Sequence, residues 1–516
     1  MSEISSAENR KGYFIMIIGL FMAILDIQIV ASSLGEIQAS LSASLDEISW
    51  VQTAFLIAEV IVIPITGWLS RVLSTRVLFT YACLLFTISS AACAFSWNLE
   101  SMIFFRVLQG LFGGVMIPTV FSAIFLIFPK SEQPKATIIA GLVATVAPTL
   151  GPTLGGWITS NWSWHWLFLI NIIPGIFVSY GVNKHINIDK PNYELVKKFD
   201  FLGLFLVIVS LSSLELFLKK GPNNDWFDYW LVKTLFCTLI ISSIWLIWHE
   251  LKCDSPVIDI RAFKDSNFAV GCALSFGIGV GLYGSVYLMP LLLTTVKGYS
   301  SLQIGMIMWV TGLFQFASGP IAGILEKKLD LRILLMLGLF IYAIGMVANG
   351  FMNLEVSFHE LFWPQAIRGI SIMLCFLPMT TVAMGKLQPH EVQNASGLYN
   401  LMRNLGGAIG IAIIDYYLKM RLKVHQVSIG ETLNYAKLSQ LGTEGVTSET
   451  IENTVTDPSY IDLINLKLLS GAVYKQALIK AFNDTFIAIG LYLFACIFLM
   501  LFVKKVEKSD EMSGAH

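Results

Sequence analysis

The stretch GYFIMIIGLFMAILDIQIVASSL, residues 12–34, carries one charged side chain, Asp26, in a run long enough to cross a bilayer. A spanning helix needs about 20 largely apolar residues. Thirteen further stretches qualify, at 49–69, 77–96, 101–128, 136–159, 164–182, 200–218, 229–249, 267–295, 302–325, 331–350, 359–385, 392–420 and 481–503. Composition points the same way. The chain has 516 residues, 55% hydrophobic and 13% charged, whereas a soluble protein carries about 25% charged residues. The expected fold class is an all-α membrane protein with fourteen transmembrane helices.

Lysine and arginine set the orientation. With the N-terminus inside, segments on the cytoplasmic side carry 20 basic residues, from Arg10 and Lys11 through Arg71, Arg76, Lys184, Lys327 and Lys328 to Lys504, Lys505 and Lys508. The short outer loops carry 3, namely Lys219, Lys220 and Lys297. Dropping one early helix would flip the later loops and spoil this asymmetry, so fourteen spans with both termini cytoplasmic are expected. The polar start, MSEISSAENRK, lacks a small-residue cleavage site, so the first helix is expected to be retained.

Several function classes lose support here. Net charge is −1, so no basic field points to nucleic acid. No P-loop pattern suggests a nucleotide-driven motor. Most of the seven cysteines fall inside apolar runs, with no CxxC or Cys/His cluster in sequence, so neither a metal site nor another cofactor is expected. No Ser/His/Asp constellation supports a membrane-embedded enzyme, and no appended soluble domain supports a signalling protein.

Two halves repeat. The second span closes on Gly67-x-Leu69-x-Arg71, with Arg76 at the tenth position. The tenth span closes on Gly323-x-Leu325-x-Lys327, with Arg332 at the tenth position. Arg106, Gln109 and Gly110 in the fourth span find a counterpart in Arg368 and Gly369 of the twelfth. If the seventh and eighth spans are an insertion, the chain reads as a six-helix bundle at 12–182, two inserted helices at 200–249 and a second bundle at 267–503. Such duplication is the usual architecture of alternating-access carriers. A polar segment, 421–480, then forms a long external loop, in which Tyr460–Ala481 shows helical spacing.

Charges at membrane depth are expensive and usually face an interior or a watery cavity. Counting 1.5 Å per residue, Asp26 lies roughly 9 Å below the outer edge of a ~30 Å core, with Arg106 at nearly the same depth. Glu59 lies roughly 13 Å below it. Desolvation and a nearby cation act oppositely on a carboxyl group's proton, so Asp26, Glu59 and Arg106 are the expected proton-coupling residues, with Asp26 the favoured carrier. Glu215 and Lys233 count as interfacial. Arg368 and Arg403 are expected to gate or support the structure. Tyr283, Tyr287, Trp309, Gln315 and Tyr399 are expected on a substrate cavity wall.

The motifs in order resemble the fourteen-helix drug:proton antiporter family of the major facilitator superfamily, and EmrB-type multidrug exporters in particular. The likeness rests on Leu25-Asp26, Trp50-Val51-Gln52-Thr53-Ala54, Ile63-Pro64-Ile65-Thr66-Gly67, Phe105-Arg106 with Gln109-Gly110, and Arg403-Asn404-Leu405-Gly406-Gly407. The run Gly151-Pro152-x-x-Gly155-Gly156 resembles the family's antiporter motif. Small residues there permit close helix approach and proline permits a bend. One motif departs from the pattern: Arg71 replaces the usual acidic residue after the second span, and Ser74 the usual glycine. The resemblance implies a proton-coupled exporter of small amphipathic compounds in a bacterial inner membrane. Export of one endogenous metabolite, such as a siderophore or fatty acid, is the alternative. It also implies a periplasmic adaptor of EmrA type and an outer-membrane channel as partners.

Overall fold

The computed structural model describes residues 3–504 apart from 32, 130, 223–225, 254–255, 386, 388 and 432–457. Among the described residues there are sixteen α-helices and no strand. They are α1 (Glu3–Ala31), α2 (Leu34–Leu41), α3 (Leu45–Leu73), α4 (Thr75–Ala94), α5 (Leu99–Ile127), α6 (Gln133–Asn161), α7 (Trp166–Leu169) and α8 (Ile172–His185). There follow α9 (Phe201–Lys220), α10 (Trp230–Lys252), α11 (Ser266–Lys297), α12 (Ser301–Lys328), α13 (Leu331–Ala348), α14 (Phe358–Met384), α15 (Pro389–Glu431) and α16 (Pro458–Cys496).

Twelve spans among the described residues are long and apolar enough to cross a membrane, with α7 and α8 sharing one. The bent helix α6, turned by 45° between Gln133–Pro148 and Leu150–Asn161, makes a thirteenth. Pro148 and Pro152 account for the break: each removes a backbone donor, and the ring of Pro152 crowds the carbonyl four residues before it, at the bend. The remaining expected span, 392–420, lies in α15, whose apolar run is diluted by Arg403, Asn404 and Asp415. That helix packs along α11, α16 and α3, so its polar residues meet protein or the central cavity.

Packing partners sort by half. The helices α1, α3, α4, α5, α6 and α8 contact one another, as do α11 to α16. The halves meet where α6 packs on α12 and α3 on α15. The repeat shows in matching close approaches. A Cβ at Gly110 of α5 would sit 2.3 Å from the Phe55 carbonyl oxygen of α3. A Cβ at Gly369 of α14 would sit 2.4 Å from the Thr311 carbonyl oxygen of α12. Leucine at either position would push apart a pair of spans.

Helix ends carry their own stops. Ser44 and Glu47 form a capping box at α3, Ser300 and Gln303 one at α12, and Ser357 and Glu360 one at α14. Each satisfies backbone N–H groups that a membrane-exposed helix end would leave unmade.

One expectation needs correction. The loop expected at 421–480 is shorter: α15 runs on to Glu431, and α16 begins at Pro458 as one helix with the last span. Arg421 Nε (2.7 Å) and His425 Nε2 (2.6 Å) bond Asp484 Oδ2, strapping the two extensions together. Residues 432–457 of that loop lie outside the described residues. The pair α9–α10, expected as an insertion, packs against the bundles. Helix α10 is the outer member, but α9 packs on both α3 and α15.

The turn joining α3 to α4 explains the departure noted above. Ser74 has φ +75° and ψ 152°, a region essentially reserved for glycine. Asp189 grips the same turn, its carboxylate accepting from Thr75 N (3.0 Å) and Thr75 Oγ1 (2.8 Å). Ser74→Gly is therefore expected to stabilise the protein by about 1 kcal/mol, since glycine costs only a few tenths as a helix cap. Thermal unfolding in detergent checks this; an unchanged or lower midpoint would contradict the strain.

Candidate transport site

A cavity of about 480 Å³ opens on the side of the molecule where α1 ends and α3 begins. Its wall includes Ile27 and Gln28 of α1, Gln52, Thr53, Leu56 and Glu59 of α3, and Glu215, Leu218 and Lys219 of α9. Tyr283 and Tyr287 of α11 and Asn404, Ile411 and Asp415 of α15 complete it. The size suits a small molecule. Towards the opposite side the halves close: Ser396 Oγ donates to the Pro118 carbonyl at 3.0 Å, and the Phe121 and Phe376 rings lie 5.9 Å apart.

Polar groups on this wall are tied at fixed points. Tyr283 Oη donates to Asn404 Oδ1 at 3.1 Å and forms part of the floor. Tyr287 Oη donates to Asp415 Oδ1 at 3.0 Å, and Lys419 Nζ lies 2.8 Å from Asp415 Oδ2. Lys219 donates to Thr53 Oγ1 and stands 5.2 Å from the Trp50 ring. Under the floor a chamber with room for about one water is lined by Ile24, Thr145, Pro148 and Arg403. Glu59 is 2% exposed and faces the cavity, within electrostatic reach of Glu215, Arg106, Arg403 and Asp26.

Asp26 sits elsewhere. Ile27 and Gln28 face the cavity, and helical geometry turns Asp26 away from it. Arg106 Nη1 donates to Asp26 Oδ2 at 2.5 Å, Gln109 Nε2 to Oδ1 at 2.9 Å and Asn171 Nδ2 to Oδ1 at 2.9 Å. Arg106 Nη1 also bonds Gln109 Oε1 at 2.7 Å, and its Nε bonds the Val51 carbonyl at 3.0 Å. The guanidinium stacks 4.2 Å from the Phe55 ring. This network joins α1, α3, α5 and the start of α8 in a dry interior. The matched depth of Asp26 and Arg106 was legible in the sequence; their separation from the cavity was not.

The other expected residues fall as follows. Gly151 packs against Gln28 of α1, where a Cβ would lie 2.4 Å from Gln28 Cβ. Pro152, Gly155 and Gly156 are buried in α6, and Gly67 is buried near the end of α3. Arg71 and Arg76 are half-buried at the α3–α4 turn, in no ion pair among the described residues. Arg368 is buried and donates to Thr311 Oγ1 at 2.9 Å, with no carboxylate partner among the described residues. Arg403 donates to Asn400 Oδ1 at 2.5 Å, between the Phe121 and Phe376 rings.

Three of the five residues expected on the cavity wall are not there. Trp309 is 49% exposed on the outer face of α12. Gln315 is buried and donates to Thr145 Oγ1, tying α12 to α6. Tyr399 is buried, its hydroxyl 3.3 Å from Thr380 Oγ1. These residues sit on other faces of helices that do approach the centre. Residue type could not tell those faces apart.

Glu215, read from the sequence as interfacial, lines the cavity instead. Its place near the outer end of α9 pointed to the membrane interface, whereas the packing of α9 on α3 and α15 turns it to the cavity. The sequence reading missed a possible metal set at the other end of the same pair. Ligand atoms of Asp200, His249 and Cys253 lie within 4.8 Å of one another. His249 Nε2 sits 2.8 Å from Asp200 Oδ2, while Asp200 Oδ1 accepts from Gly203 N at 2.7 Å, so the cluster already serves to cap α9 and hold α10.

A helical bundle of repeated halves around a one-sided cavity is the form of a secondary carrier. The family model described as Major Facilitator Superfamily matches residues 16–411, and the chain belongs to that superfamily. It is 39% identical to the colistin resistance protein EmrB of Acinetobacter baumannii over 493 residues, 96% of each chain. It is 31% identical to the multidrug export protein EmrB of Escherichia coli over 83% of this chain and 85% of that one. The fatty acid resistance protein FarB of Neisseria gonorrhoeae is 31% identical over 88% of this chain and 92% of its own. The fold is similar to that of the human organic anion transporter MFSD10, with TM-score 0.62 at 14% identity, covering 95% and 99% of the two chains. The chain is thus a multi-pass membrane transporter of the EmrB-like group.

Proposed function

We propose that this chain is a proton-coupled multidrug exporter of small amphipathic or hydrophobic compounds, working by alternating access in a bacterial inner membrane with both termini cytoplasmic. The observation that carries the reading is a buried carboxylate, Glu59, on the wall of a largely apolar cavity that opens away from the termini. The export names of the relatives support it. A proton moving inward releases about 2.3 kcal/mol per 100 mV, and each pH unit adds about 1.4 kcal/mol. One or two protons per cycle suffice for concentrative export.

Glu59 meets the cavity and takes the proton there. The Asp26–Arg106 pair answers from behind it, because Arg106 also holds the Val51 carbonyl and the Phe55 ring of the helix that carries Glu59. Gly151, Pro152, Gly155 and Gly156 seal and bend α6 against α1. Transport of a fluorescent amphiphile into inverted vesicles, driven by an imposed pH gradient, tests the reading; gradient-independent uptake would refute proton coupling.

The partners belong to the same proposal. A periplasmic adaptor of EmrA type docks on the helical extensions of α15 and α16 and leads to an outer-membrane channel. The strap of Arg421 and His425 on Asp484 gives those extensions one stiff base. A variant shortened across 430–470 is expected to insert normally and lose adaptor in a pull-down. Undiminished capture would rule out docking there.

A further inference from the structure

We propose that Asp200, His249 and Cys253 form a zinc site that clips the start of α9 to the end of α10, with Glu250 as the fourth donor. The site is independent of what the cavity carries. At 1.5 Å per residue, Asp200 lies roughly 20 Å along α9 from Glu215 on the cavity wall. Helix ends bring the donors together. Asp200 is the N-cap of α9 and Cys253 the C-cap of α10. His249 stands four residues before Cys253, which puts both side chains on one face of α10. Packing of α10 on α9 lays that face against Asp200, and the three ligand atoms lie within 4.8 Å of one another. Asp200 Oδ1 is held by Gly203 N at 2.7 Å, which fixes the carboxylate and leaves Oδ2 for a metal.

A second observation points to a cation at the same place. Glu250 is 1% exposed, and its Oε1 is buried without a hydrogen-bond partner, while Oε2 accepts from Ile258 N at 3.4 Å. A Cβ at Gly203 would clash with Asp200 Oδ2 and lie 2.9 Å from Glu250 Oε1, so the two carboxylates converge on one point. Side by side they repel, and the unmade bond adds to the cost. The neighbouring cations are engaged elsewhere. Arg261 Nη2 donates to the carbonyls of Leu251 (3.1 Å) and Cys253 (2.9 Å), and Lys252 lies over the Trp248 ring at 4.1 Å. Among the described residues neither forms an ion pair. A divalent ion beside Asp200 satisfies both carboxylates, with Glu250 reaching it by rotation of its side chain. The donors choose the metal: thiolate, imidazole and carboxylate together suit zinc, whereas magnesium and calcium take oxygen ligands. His249 is 21% exposed and Cys253 half-buried, so the ion can enter from solvent.

The test uses the purified full chain in detergent, without a polyhistidine tag and stripped of metal by a chelator. Cobalt(II) is the probe, because tetrahedral thiolate ligation gives it intense visible bands and a near-ultraviolet sulfur-to-cobalt charge-transfer band. One cobalt per chain is expected with both signatures, displaced by equimolar zinc and untouched by excess magnesium. Cys253→Ser should remove the charge-transfer band, while Cys237→Ser, at an exposed cysteine on the same helix, should keep it. Glu250→Gln leaves the three other donors in place and should weaken zinc binding about tenfold or more. No cobalt bound, a pale octahedral spectrum without the sulfur band, or a band that survives Cys253→Ser overturns the site. Unchanged zinc affinity in a folded Glu250→Gln protein overturns the role of Glu250 as fourth donor.

Discussion

Glu59→Gln is expected to abolish proton-driven accumulation while leaving substrate exchange down its own gradient. Glutamine keeps the size and hydrogen-bonding reach of the side chain but carries no titratable proton. The position lines the cavity and no ion pair holds it among the described residues, so little packing is disturbed. For each proton uncoupled, the accumulation ratio should fall about tenfold per pH unit of imposed gradient. Paired assays in proteoliposomes decide it. Counterflow should persist and gradient-driven uptake should vanish. A variant that still concentrates substrate would move the coupling role from Glu59 to Asp26.

Arg106→Ala is the second large effect, and it falls on the fold. Asp26 would be left in a dry interior with only Gln109 and Asn171 donating to it. Removing one partner of a buried pair costs roughly 3–5 kcal/mol. Adding Asp26→Asn to Arg106→Ala removes the stranded charge, so the double variant should recover a good part of the loss. Unfolding of the four proteins in mild detergent gives the cycle. A double variant no better than Arg106→Ala would mean that the guanidinium matters through its stacking on Phe55 and not through the carboxylate. Asp26→Asn alone strands the buried Arg106 charge in the same way, so it is expected to lose stability as well as coupling.

The fold was legible in the sequence because a membrane span is a composition signal. A run such as residues 12–34 needs no partner to be recognised. Even α15, diluted by Arg403 and Asp415, could be placed by the charge asymmetry of the loops around it. The pair Asp26 and Arg106 was legible for a related reason, since depth in a spanning helix is a residue count. Azimuth around the helix axis is not. The spans near Asp26 and Trp309 are apolar on every side, so no stripe marks the face that meets the cavity. Glu215 could be counted to the outer end of its span and so read as interfacial, but which helices border a cavity depends on tertiary packing, and an extra pair can lodge against a bundle at any seam. Ser74 shows the reverse case. A departure from a motif was visible in sequence, but only the backbone angle shows that it carries strain.

The contacts of α9 have a mechanical consequence. Two rigid halves that rock against each other form a machine of two bodies with one axis. Helix α9 touches α3 in one half and α15 in the other, so when the halves rock it cannot keep both contacts. It must ride with one half and slip along the other. Helix α10 backs α9 from outside, so the added pair works as a brace across the joint, and any rocking of the halves has to be accommodated at one of its two contacts.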